Sequence, residues 1–168
     1  MNKKASALLK ENSLFSYPVD VKKLAKKLKV IVSSEDLEDK VSGFLAVDDD
    51  NATIVVNSNH HENRKRFTMA HELGHFVLHK GKMPLFLDTN LKFYRSAVHS
   101  EHSAEIEMEA NAFAAELLMP KLLIEKIIET YDLDITDEYD NYQLSKKLKV
   151  SEQALTIRLV KLELIFPF

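Results

Sequence analysis

Residues 66–80 read RFTMAHELGHFVLHK, with His71, His75 and His79 spaced four apart and Glu72 directly after the first. On a helical wheel of about 100° per residue, Phe67, Met69, Ala70, Leu73, Phe76, Val77 and Leu78 occupy most of the circumference. That distribution predicts a helix buried nearly all round. The one polar sector holds Thr68, His71, Glu72, His75 and His79, with Arg64 and Lys65 at the helix start. A solvated face would be filled by Lys, Glu and Gln, whereas this one concentrates imidazoles. Histidines at i and i+4 lie roughly 5–6 Å apart at Cβ and can aim ring nitrogens at one ion. Glu72 falls at the edge of the sector, where its carboxylate reaches a water beside the ion without ligating it. The arrangement is the H-E-x-x-H pattern of zinc proteases. The competing reading is a buried helix whose histidines bond to backbone.

A catalytic zinc needs three protein ligands and an open position, so a third must come from elsewhere. The segment AEIEMEANAFAAELLMP, residues 104–120, offers Glu105, Glu107, Glu109 and Glu116. Ile106, Ala110, Phe113, Ala114, Leu117 and Leu118 define its apolar arc, and Glu107 and Asn111 fall inside that arc. A carboxylate facing a core is costly unless it is paired or bound to a cation. Glu107 is therefore the candidate ligand, and Glu105, Glu109 and Glu116 form an ordinary solvated face. The alternative for Glu107 is a buried salt bridge to Arg64, Arg66 or Arg95. Asn111, one turn on, is placed to orient Glu107 or a ligating histidine. Ala110, Ala112, Ala114 and Ala115 allow this helix to approach the histidine helix closely.

Composition narrows the rest. At 168 residues, 45% hydrophobic and 29% charged, the chain is long enough for one well-buried core with a small appendage. Its net charge of −3 provides no overall basic field for nucleic acid or an anionic membrane. Without cysteine, disulfides, thiolate zinc knuckles, iron–sulfur clusters and a cysteine nucleophile are all excluded, and any metal must sit on nitrogen and oxygen ligands. The first residues, MNKKASALLKENSLF, are too broken by Lys10, Glu11 and Asn12 for a signal peptide. No uninterrupted apolar span suits a bilayer. A soluble, cytoplasmic protein is expected.

The chain order predicts an α+β fold. An amphipathic opening helix precedes a second helix begun at Pro18 and Asp20, which gives way to a strand at Val30, Ile31 and Val32. Strands over 42–47 and 53–57 flank the turn-forming residues 48–51 and form a hairpin packed on the histidine helix. The histidine helix runs from about 59 to 80, closed by Gly81. Residues 82–103 read as a long loop with a short strand at 91–94. Helices follow over 104–119, ended by Pro120, and through 130. An acidic stretch, 132–140, then leads to a final helical pair. The division is a main domain over 1–130 and a helical segment over 131–168.

The two stretches RFTMAHELGHFVLH and EIEMEANAFAAELLMP together resemble the ImmA/IrrE metallopeptidases, zincin-like proteins whose third ligand is a glutamate. The resemblance spans most of 20–120. It implies His71, His75 and Glu107 as zinc ligands and Glu72 as general base. It also implies a zinc-dependent endopeptidase acting on a regulatory protein, a helix-turn-helix repressor, and so controlling transcription in a mobile element or stress response. The contrasting function is a zinc-stabilised regulator that works by protein or DNA association without proteolysis. For oxyanion stabilisation the long loop offers Tyr94, Arg95, His99 and His102, with no means of choosing among them. His79, in the last turn, is read as a structural or outer residue favoured by the helix dipole. The strand over 53–57 is a candidate open edge for an extended peptide.

The tail, YQLSKKLKVSEQALTIRLVKLELI over 142–165, looks like a helix-turn-helix. Ser151 caps its second helix, and Leu144, Leu148, Ala154, Leu155, Ile157, Leu159 and Leu162 supply its core. Lys146, Lys147, Lys149, Arg158 and Lys161 are placed to meet phosphates, but neighbouring acids and a pI near 6.2 favour packing or partner recognition over DNA. The heptapeptide LSKKLKV at 144 nearly repeats LAKKLKV at 24, so it reads as a generic amphipathic helix end.

Overall fold

The computed structural model describes residues 3–48, 51–79 and 101–166. Helices α1 (Lys3–Glu11) and α2 (Val21–Lys27) lead into strand β1 (Val30–Glu35), then β2 (Gly43–Val47) and β3 (Ala52–Asn57). Helix α3 (Glu62–His79) carries the histidines, α4 (Glu101–Leu118) the candidate glutamate, and α5 (Lys121–Tyr131), α6 (Glu138–Leu148) and α7 (Glu152–Lys161) complete the chain. The expected mixed α+β order is observed. The helix ends follow local chemistry. Asp20 accepts from the Lys23 backbone N–H at 2.9 Å, Asp137 from Asp140, and Ser151 from Ala154. The repeated heptapeptide ends both α2 and α6 in the same way, on a left-handed lysine, Lys29 at φ 60° and Lys149 at φ 53°.

The sheet order is β1-β3-β2, with β1 parallel to β3 and β2 antiparallel to it. The β2–β3 hairpin turns at Asp48, whose backbone N–H donates to Asn51 O at 2.9 Å. Because β3 pairs on both sides, residues 53–57 are the middle of the sheet, which corrects their expected role as an open edge. That position suits the sequence: Ala52, Ile54, Val55 and Val56 are all buried. Asn57 closes the strand, its amide donating to the carbonyls of Leu37, Glu38 and Val41 and so fixing the β1–β2 connection.

Helix α3 lies between this sheet and α4, its most extensive neighbour. Gly74 makes the close approach possible: a Cβ there would sit 3.1 Å from Ala110 O and 3.2 Å from Ala110 Cα. Leu144, Leu148, Leu155, Leu159 and Leu162 join the same apolar cluster as Leu73, Phe113 and Leu117. The α6–α7 turn is further tied to α3, with Asn63 donating to Val150 O at 3.0 Å and Arg66 to Lys149 O at 3.3 Å. Arg158, one of the tail cations that could contact phosphates, is buried, in line with the favoured reading that this segment packs. It pairs with Glu116 of α4, which also accepts from Ser6 of α1, and donates to Met119 O at 3.0 Å. Glu116 is correspondingly not on a solvated face. The last turn of a helix ended by Pro120 turned inward where the wheel placed it outward.

The Gly81 cap, the strand at 91–94 and the candidates Tyr94, Arg95 and His99 lie outside the described residues. His102 falls in the first turn of α4, three residues earlier than the helix was expected to start. Among the described residues no helix is long and apolar enough to cross a membrane.

Candidate metal centre

The 3.6-residue period of α3 stacks His71, His75 and His79 on the side facing α4. The Nε2 atoms of His71 and His75 face each other at 3.0 Å. Glu107 of α4 reaches into the same point, with Oε2 at 3.3 Å from His71 Nε2 and Oε1 at 3.2 Å from His75 Nε2. A tetrahedral ion with bonds near 2.0–2.1 Å spaces its ligand atoms roughly 3.3 Å apart. Each Nε2 and the Glu107 oxygen nearest it stand close to that spacing, one ligand atom from each residue lies within 4.8 Å of the others, and His71, His75 and Glu107 form the only His/Asp/Glu cluster of this kind among the described residues. Neither Arg64 nor Arg66 takes Glu107: Arg64 bonds Ser42 and Arg66 the Lys149 carbonyl.

The reason Glu107 stands there differs from the one the wheel suggested. Its side chain is 51% exposed and Asn111 is exposed too, so the pair stands on an exposed strip of α4 beside the buried arc of Ala110, Phe113 and Ala114. The imidazoles of His71 and then His75, each with Nε2 within 3.3 Å of a carboxylate oxygen, hold the Glu107 carboxyl well below its ordinary range. For His71, burial alone would push the pKa down. The hydrogen bond to Glu107 and the nearby charges of Glu72 and Glu107 outweigh it, and the result is a raised value. His71 Nδ1 lies 3.1 Å from Asn111 Oδ1. An amide oxygen can only accept, so Nδ1 carries the proton and the Nε2 lone pair is left for the site.

Glu72 stands beside the cluster without joining it. Burial raises its pKa, partly opposed by the charges of His71 and His75 and by a hydrogen bond from the Leu45 backbone N–H of β2. A carboxylate with raised basicity next to a cation site has the character of a general base. The remaining stripe residue, His79, is buried and donates from Nε2 to Glu109 at 2.9 Å. Glu109 is exposed, as expected, and from that face it reaches His79. Gly74, Glu109 and the Leu45 amide are contributions that patterning missed. A glycine in the middle of a helix was the one available signal, since it costs helix stability unless something must come close.

Comparison with known proteins bears on the family. The family model for the IrrE N-terminal-like domain, Peptidase_M78, matches residues 25–160. Over 107 residues the chain is 32% identical to "Uncharacterized immunity region protein 2" of Bacillus phage phi105, covering 64% of this chain and 63% of that one. Over 87 residues it is 34% identical to the "Radiation response metalloprotease IrrE" of Deinococcus radiodurans, covering 51% of this chain and 25% of that one. A solved structure described as a Mycobacterium tuberculosis transcriptional regulator superposes with a TM-score of 0.64 at 16% identity, covering 93% of this chain and 45% of that one. That last likeness concerns the fold. The chain thus spans less than two thirds of each of these proteins. With the model matching most of its length, the chain belongs to the family of the IrrE N-terminal-like domain, a family of metallopeptidases.

Proposed function

We propose that the chain is a zinc-dependent endopeptidase of the glutamate-ligand, zincin-like type that cuts a regulatory protein, a helix-turn-helix repressor, and so controls transcription. The observation carrying this reading is the convergence of His71 Nε2 and His75 Nε2, 3.0 Å apart, on the Glu107 carboxylate, whose two oxygens lie 3.3 and 3.2 Å from them, with Glu72 alongside. Two imidazoles and a carboxylate suit zinc and leave a fourth position free. When bound there, zinc supplies Lewis acidity, acidifying water and polarising a carbonyl oxygen. Glu72 takes the proton of the attacking water and passes it to the leaving amine. Its raised basicity favours the first transfer near neutrality. Asn111 fixes the ring of His71. The β2 edge lies on the Glu72 side, and an extended substrate added there would bring its backbone alongside the site.

The names of the phage and Deinococcus relatives, an immunity-region protein and a radiation-response metalloprotease, support a regulatory substrate. On this reading residues 1–130 form the catalytic unit, since every proposed site residue falls there, and 131–168 form the helical segment. The competing function, a zinc-stabilised regulator acting by association, draws on that segment, but its cations are largely occupied. Arg158 is paired with Glu116, and Lys146 and Lys147 lie over the rings of Tyr142 and Tyr131 at 4.9 and 3.3 Å. The deciding experiment is Glu72→Gln with a repressor encoded beside this gene as substrate. Retained zinc and folding with cleavage abolished supports the protease; full biological activity in that variant supports the regulator.

A further inference from the structure

We propose that His79 and Glu109 form a relay that positions His75 as an Nε2 ligand; this rests on the metal-site reading above. His75 and His79 are 3% and 1% exposed, so every ring nitrogen needs a partner within the protein. His75 Nδ1 lies 3.2 Å from His79 Nδ1, and two facing ring nitrogens bond only if one proton sits between them. At the far end His79 Nε2 lies 2.9 Å from Glu109 Oε2. An ionised carboxylate only accepts, so His79 carries its proton on Nε2 and offers a lone pair at Nδ1. His75 must then donate from Nδ1, which makes Nε2 the nitrogen it presents to a cation shared with His71 and Glu107.

The same polarity follows from the opposite end, because a nitrogen that ligates a cation cannot hold a proton. Two independent requirements, a carboxylate on α4 and a cation at the site, thus select one arrangement of protons along Glu109–His79–His75. His71 gains the equivalent service from Asn111 alone. His79 is therefore a positioning residue that works through His75, rather than a cation serving the helix dipole.

The test compares wild type with Glu109→Ala, His79→Leu, His79→Asn and the Glu109→Ala/His79→Leu double variant. Zinc dissociation constants are measured by chelator competition, and thermal unfolding of the metal-free forms checks folding. Loss of an outer partner of this kind weakens metal binding by about 10–100-fold, and that loss is expected for Glu109→Ala and for His79→Leu. The double variant should match His79→Leu within about twofold, because Glu109 acts through His79. His79→Asn, which keeps an acceptor near the Nδ1 position, should recover part of the loss. In zinc-loaded wild type, imidazole spectra should show the His75 Nδ1–H as a strongly hydrogen-bonded, exchange-protected proton, and Glu109→Ala should weaken that signature. Should His79→Leu fail to fold, Glu109→Ala still decides, since the Glu109 side chain is 54% exposed and dispensable to the core. Wild-type affinity in Glu109→Ala, or losses that multiply in the double variant, overturns the relay. A wild-type protein that binds no zinc overturns the metal site itself, a separate result.

Discussion

Replacing Arg158 by Met should destabilise the protein by about 3 kcal/mol, the lower end of the cost of stranding one member of a buried ion pair. Both partners are deeply buried, Arg158 at 5% and Glu116 at 6% exposed, so water cannot compensate the survivor. The lower end applies because Ser6 still donates to Glu116, and a hydrogen bond to a charged group retains about 1.5–3 kcal/mol. With a denaturant slope of about 2 kcal/mol/M, the urea midpoint should fall by roughly 1.5 M. Replacing both residues, Glu116→Met with Arg158→Met, removes the charge and its desolvation together. That double variant should recover to within about 1–2 kcal/mol of wild type. The measurement is urea unfolding followed by circular dichroism on the four members of the cycle. A loss below about 1 kcal/mol for Arg158→Met, the range of an exposed pair, would refute the reasoning and return Arg158 to the surface, as would a double variant that loses the sum of both singles.

Two further outcomes are expected. Gly74→Ala gains about 1 kcal/mol of helix propensity while its Cβ, 3.1 Å from Ala110 O, pushes α4 and Glu107 away. Zinc affinity should fall with little change in melting temperature, and unchanged affinity would show that the close approach does not matter to the site. In the metal-free protein, the depressed Glu107 carboxyl contributes stability that is present above its ordinary 4.5 and lost as pH falls toward its folded value. The raised His71 contributes stability that is complete below its ordinary 6.5 and lost as pH rises through its folded value. Glu107→Gln should flatten both limbs of the stability–pH curve, and a curve unchanged in that variant would contradict the interaction.

The parts legible in the sequence were those set by local periodicity. His71, His75 and Glu72 share one helix, so their grouping needed only the 3.6-residue repeat, and the Asp20 and Ser151 caps needed only their own side chains. Glu107 was singled out by an argument about burial, whereas its side chain is half exposed. The periodicity picked the right side of α4 because the exposed strip adjoins the buried arc there. Glu116 is buried against the wheel for a related reason: a wheel describes one helix, and its partners, Ser6 and Arg158, come from two others, just as the exposed Glu109 meets His79 from a third. Likewise, nothing in the pattern of 53–57 tells that β1, two strands earlier in sequence, pairs directly with it, which converts an expected edge into the centre of the sheet.

The most direct test of the account is crystallographic location of zinc by its anomalous scattering in protein loaded with one equivalent. The account expects a single peak bonded at about 2.0–2.2 Å to His71 Nε2, His75 Nε2 and a Glu107 carboxylate oxygen. A peak elsewhere, or one that leaves Glu107 beyond bonding distance while the two histidines ligate, would contradict it.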